Sequence, residues 1–134
     1  AYLTLNATSA ATTSATAFNN TSPTSSVFTL GTDFAATFTI NYVAYCFAEI
    51  AGFSKFGIYT GTSNADGPFI YCGFRPKYVL IKATNDTYAW NVFDSVRDPY
   101  NASYHELEPN DTNAENTALN PSLDFISCIQ NAGK

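Results

Sequence analysis

Methionine is absent from this 134-residue chain, tryptophan and histidine occur once each, and charged residues make up only 13%. That charged share is about half the usual level. The 6 Lys and Arg residues are scattered, with no basic block and no basic stripe interleaved with aromatics, so at a formal net charge of -5 the chain has no electrostatic footprint for nucleic acid. No apolar run approaches the about 18 residues of a membrane-spanning helix, and the longest, Tyr42 to Phe47, has the length of a strand. Membrane insertion is therefore not expected. The three cysteines form no C-x-x-C pair and His105 stands alone, which leaves no zinc site. There is no Gly-x-Ser-x-Gly elbow to hold a nucleophile. The acidic group Asn110 to Glu115 starts like a calcium loop, but Asn116 stands where the glycine is needed and Ser122 where the bidentate Glu should be. No metal and no cofactor are expected.

What the chain does hold is aromatic and neutral. Aromatic residues reach 16%, and Thr, Ser, Asn and Ala supply most of the remainder. Neutral polarity mixed with β-branched and aromatic residues fits half-buried pleated surfaces, and the length suits one domain with a single core. Candidate strands are Tyr2 to Leu5, Val27 to Leu30, Phe34 to Ile40, Tyr42 to Phe47, Phe53 to Thr60, Phe69 to Phe74, Tyr78 to Ile81, Tyr88 to Phe93 and Leu123 to Ile126. Residues 7–26, rich in Thr, Ser and Ala, read as a long surface excursion. The turn-forming cluster Gly61 to Pro68 predicts a hairpin between Phe53 to Thr60 and Phe69 to Phe74, and Asn85-Asp86 predicts a second between the next two runs. Asn113 to Leu119 allows one helical turn and nothing longer. The expected fold is all-β, an antiparallel β-sandwich.

The start, Ala1-Tyr2-Leu3-Thr4-Leu5, has neither an initiator Met nor a charged leader region, and reads as a processed end or a window cut from a longer polypeptide. Tyr2-Leu3-Thr4-Leu5 and Val27-Phe28-Thr29-Leu30 recur loosely as Tyr104-His105-Glu106-Leu107 and Leu123-Asp124-Phe125-Ile126. Residues 1–134 are thus one β-rich module, or residues 1–50 close one repeat and residues 51–134 open the next.

Tyr42 to Glu49 followed by Gly52-Phe53-Ser54-Lys55-Phe56-Gly57, then Asp66 to Pro76 with its Gly73-Phe74-Arg75-Pro76, then Asp94 to Arg97 and Asp98-Pro99-Tyr100-Asn101 carry a resemblance. The chain resembles a repeated β-rich domain of unknown function found in tail-fibre-like structural proteins of marine tailed phages. The resemblance implies fibrous or virion-associated β modules, often beside lectin-like modules, with no established catalytic site. In that family the segment like Leu123 to Ser127 continues through two more strands into a Tyr/Ala/Phe-rich run; here the matching run, Tyr42 to Glu49, lies upstream. Strands displayed at one end and missing at the other would be completed by a neighbouring copy, head to tail, or by covalently attached neighbours in a longer fibre.

Site candidates follow from residue type. Asn-x-Ser/Thr acceptors occur at Asn6, Asn19, Asn20, Asn85, Asn101 and Asn110, while Pro121 blocks Asn120. They are glycosylation candidates, against the alternative of a bare Thr/Asn-rich surface. Cys46 and Cys72 sit in similar Tyr-Cys settings and form either a disulfide across strands or two buried thiols. Tyr88, Trp90 and Tyr100, with Tyr104, offer an aromatic platform for sugar rings, although alternation sets Tyr88, Trp90 and Val92 on one face that suits a core. Asp94, Asp98, Glu106 and Glu108 are the only carboxylates worth weighing as glycosidase acids, and catalysis is not expected. The expected function is a structural subunit of an extracellular or virion-surface fibre or filament, self-assembling with copies of itself. The alternative is a carbohydrate- or receptor-binding module.

Overall fold

The computed structural model describes residues 1–33, 41–63, 67–117, 123–125 and 128–130. Among these residues the fold is all-β, with five short strands and no helix: β1 (Phe69–Tyr71), β2 (Tyr78–Ile81), β3 (Asn91–Asp94), β4 (Asp124–Phe125) and β5 (Cys128–Gln130). All pairings are antiparallel. One sheet runs β1-β5-β4 and the other pairs β2 with β3.

The second expected hairpin forms, with Val79 opposite Phe93 and Ile81 opposite Asn91. Alternation along β2 turns Val79 and Ile81 inward and leaves Tyr78 and Leu80 exposed. Phe93, Leu123 and Phe125 form the core, and Ile70, Cys72, Val79 and Ile81 pack against it partly buried. The core therefore draws residues from both sheets.

The first expected hairpin does not form. Residues 53–60 join no strand, and β1 instead pairs with β5, Ile70 opposite Ile129. A β run has no intrinsic partner, and the sequence-distant Cys128–Gln130 lies along β1 in place of the adjacent Phe53 to Thr60. Tyr2 to Leu5, Val27 to Leu30 and Tyr42 to Phe47 likewise form no strand, apart from a single bridge between Tyr2 and Thr12. Phe34 to Ile40 and Ile126 lie outside the described residues. The helical turn is absent over 113–117, where Asn116 bridges to Glu106.

Residues 1–33 are more than a surface excursion. The Ser14 and Thr16 hydroxyls both donate to the Asp33 carboxylate at 2.7 Å, and Gly31 N–H donates to Ala17 O at 2.8 Å, closing the loop over a fully buried Ala17. Gly31 lies so close to the Thr16 carbonyl that no side chain fits there. The loop then docks: Ala11 N–H donates to Thr84 O at 2.9 Å and the Trp90 indole N–H to Thr4 O at 3.0 Å.

Candidate functional site

Residues 41–60 form an arm whose tip is fixed by its own polar groups. The Glu49 carboxylate accepts from Phe56 N–H and from Lys55 Nζ, both at 3.0 Å, and the Ser54 hydroxyl donates to Ala48 O at 2.7 Å. Phe56 N–H and Lys55 together hold the Glu49 carboxyl below its usual range. A bridge between Ile50 and Ser54 closes the turn, with Gly52 at φ 76°, a conformation that favours glycine. Phe47 and Phe56 meet across the base of the turn at 6.4 Å between ring centroids. The two legs beyond the tip make no ladder, and their apolar side chains face solvent: Val43, Tyr45, Phe47 and Ile58 are 80, 83, 78 and 90% exposed.

The outward sides of the strands continue this character. Phe69 and Tyr71 on β1, and Tyr78 and Leu80 on β2, are all exposed, where an antiparallel sheet with a wet face would present polar residues. The arm and these strand faces make a surface suited to covering by protein. The signal for it in the sequence is the uninterrupted apolar run Tyr42 to Phe47, which reads equally well as a core strand.

A second cluster organises the loop after β3. Asp94 accepts from Val96 N–H at 3.0 Å, Arg97 N–H at 2.9 Å and Arg97 Nε at 2.5 Å, and Arg97 Nη1 reaches Glu115 at 2.5 Å. Asp98 is buried and accepts from the Ser103 hydroxyl at 2.9 Å, from Tyr104 and His105 N–H at 2.7 Å each, and lies 2.6 Å from His105 Nδ1. Burial pushes the Asp98 carboxyl up, but the His105 N–H and ring, the Ser103 hydroxyl and the Tyr104 N–H outweigh it and lower it to about 2. The Asp94 carboxyl is lowered too, chiefly by Arg97 N–H. A general acid needs a raised pKa, so neither carboxylate is set up to donate a proton near neutrality. Glu106 and Glu108 line an open hollow of about 430 Å³ with Asn113, Ala114 and Asn116. Among the described residues no three His, Cys, Asp or Glu side chains gather as metal ligands, and no helix is long and apolar enough to cross a membrane.

The remaining predicted residues are dispersed. All six acceptor asparagines stand at turns or bends; Asn6, Asn19, Asn20, Asn85 and Asn101 are exposed and Asn110 half-buried. Asn19 and Asn20 adopt φ of 49° and 50°, which Asn tolerates well. Asn110 Oδ1 accepts from Trp90 N–H at 2.6 Å, and Asn101 Oδ1 from Phe125 N–H at 2.9 Å. Tyr88 and Tyr100 are exposed, whereas Trp90 is half-buried with its indole N–H engaged by Thr4 O. Cys46 is an exposed thiol, unbridged, and Cys72 is half-buried with its Sγ 3.6 Å from Ile70 O.

The recognisable sequence segments have a common structural role. Glu49 and Gly52 to Lys55 build the arm tip, Asp94 to Arg97 and Asp98 staple the loop after β3, and Arg75 Nε donates to Phe125 O at 2.9 Å, tying β4 to the turn before β2. A family model described as a domain of unknown function (DUF7483) matches residues 1–129. No curated protein and no solved structure matches the chain. With nearly its whole length matched, the chain belongs to the DUF7483 family.

Proposed function

We propose that this chain is a structural module that assembles with copies of itself into an extracellular or virion-surface fibre, of the kind its resemblance to phage tail-fibre-like proteins implies. The observation that carries this reading is the arm: a strand-length aromatic run, held out by a stapled tip, with its apolar side chains in solvent. Exposed apolar surface of this extent marks an interaction site. The recognisable segments support the same reading, because their polar groups bind turns and strands to one another. In the assembled state the two sheets face each other across Phe93, Leu123 and Phe125 as a sandwich that neighbouring copies complete. The exposed turns at Asn6, Asn19, Asn20, Asn85 and Asn101 suit N-glycans, which would shield the remaining surface. Chemistry has no part in this function, and the module takes no cofactor.

Negative-stain electron microscopy of the native material, paired with intact mass, tests it. Filaments of non-covalent units heavier than the 14.5 kDa polypeptide are the expected result. A monodisperse monomer of bare polypeptide mass would overturn it, and would move the weight to sugar or receptor binding through the exposed Tyr88 and Tyr100.

A further inference from the structure

We infer that residues 42–47 are a donated strand, and that a second copy of this chain accepts it along the outer edge of β1. This rests on the self-assembly reading above and specifies its contact.

The donor is defined by three observations. Tyr42 to Phe47 are all exposed, and in a strand Val43, Tyr45 and Phe47 would share one face. Tyr42 to Phe47 holds no charge, no proline and no glycine, the composition of segments that pair most readily as strands. Among the described residues these six nevertheless join no ladder, and the arm's one bridge is Ile50 to Ser54 at the tip.

The acceptor follows by comparing strand edges. β3 is bridged on its far side through Val92 and Leu107, with N–H to O distances of 2.9 and 3.1 Å, and the chain entering β4 is bridged from Leu123 to Ser103. β1 and β2 each have one hydrogen-bonded neighbour among the described residues. Lys77 and Lys82 bracket β2, and charge at a strand's ends discourages edge pairing. β1 has Pro68 before it and Cys72-Gly73 after it, no charge, and exposed Phe69 and Tyr71. Among the described residues its edge is the one left unpaired and uncharged for an incoming strand.

The occupant is a second copy because, within one chain, the arm's tip rather than residues 42–47 lies beside the end of β1. Glu49, Ile50, Ala51, Ser54 and Lys55 line a hollow of about 350 Å³ with Tyr71 and Cys72, while the 42–47 leg stays in solvent. Donor and acceptor are different surfaces, so each added copy presents a fresh donor and a fresh edge, and the contact propagates head to tail, as a filament where its rotation does not close a ring. Residues 21–84, which contain both surfaces, hold none of the six glycan acceptors.

Sedimentation velocity on four proteins tests the contact: the native chain, Tyr45→Lys in the donor, Tyr71→Lys on the acceptor and Ile58→Lys as a control at an equally exposed position of the other leg. The native chain and Ile58→Lys should assemble. Tyr45→Lys and Tyr71→Lys should each be monomeric alone and should form a one-to-one dimer when mixed, because each keeps the surface the other has lost. The dimer also reports that both variants fold. Alkylation of the exposed Cys46 thiol should be fast in monomers and slow in the native assembly. A monomeric native chain overturns this contact and the self-assembly reading together. Native assembly that survives either Tyr45→Lys or Tyr71→Lys overturns this contact alone. So does a mixture that stays monomeric, which would mean that the arm closes on its own sheet.

Discussion

Residues 41–60 and residues 78–107 have similar local character and opposite fates. Both are rich in aromatic and β-branched residues, yet Tyr78–Ile81 pairs with Asn91–Asp94 and buries Phe93, while Tyr42 to Phe47 pairs with nothing among the described residues and stands in solvent. The hairpin has a nine-residue connection, 82–90, whose ends meet, and a core waiting on one face. The arm's turn is just as well built, by Glu49, Ser54 and Lys55, but neither leg finds a core to cover. Strand propensity is a preference for a pleated, half-buried surface, and only a partner turns it into a strand.

The largest effects should separate the two regions. Phe125→Ala, at a residue 1% exposed, should cost about 3–5 kcal/mol in urea denaturation of the monomeric Tyr45→Lys background. Phe53→Ala at the exposed arm tip should stay within about 0.5 kcal/mol in the same background. An equal loss at both positions would mean that the arm is part of the monomer's own core.

Next comes Asp98. Asp98→Asn removes a buried carboxylate with several donors and should cost about 2–3 kcal/mol. Its folded-state carboxyl lies near 2 against an ordinary value of 3.8, so its contribution is complete above 3.8 and is lost as pH falls from there toward 2. The shift corresponds to about 2 kcal/mol. Chemical denaturation followed from pH 5 to pH 2 should show that loss in the parent and a flatter profile in Asp98→Asn.

Smaller effects follow at the glycines. Gly31→Ala drives a methyl into the Thr16 carbonyl and should cost at least about 1 kcal/mol. Gly57→Ala on the arm meets nothing within 4 Å and should leave the melting temperature unchanged. The smallest effect belongs to Glu49→Gln, which weakens only the exposed arm tip. It should leave monomer melting unmoved and show itself as faster hydrogen exchange at Phe56 N–H.

Much of this was legible along the chain. The all-β class, the hairpin around Asn85-Asp86 and the placement of most acceptor asparagines in loops follow from residue types whose preferences are local. Other features were hidden because they depend on distant partners. β5 is short and ends in Gln130, and only its position beside β1 makes it a strand. Asp98 and His105 are ordinary loop residues until the chain turns back and puts four donors around one carboxylate. Alternation set Trp90 on a face that suits a core, but not its partner, since the Thr4 carbonyl that accepts its indole N–H lies 86 residues away.

The sequence by itself determined which segments favour extended backbone and where the chain turns, because both preferences are set within a few residues. Tertiary structure alone decided which extended segments became strands, since a ladder needs a second strand, and the second strand for β1 lies 57 to 61 residues away along the chain. Among the described residues it also left Tyr42 to Phe47, apolar and free of charge, without a ladder and with every residue exposed.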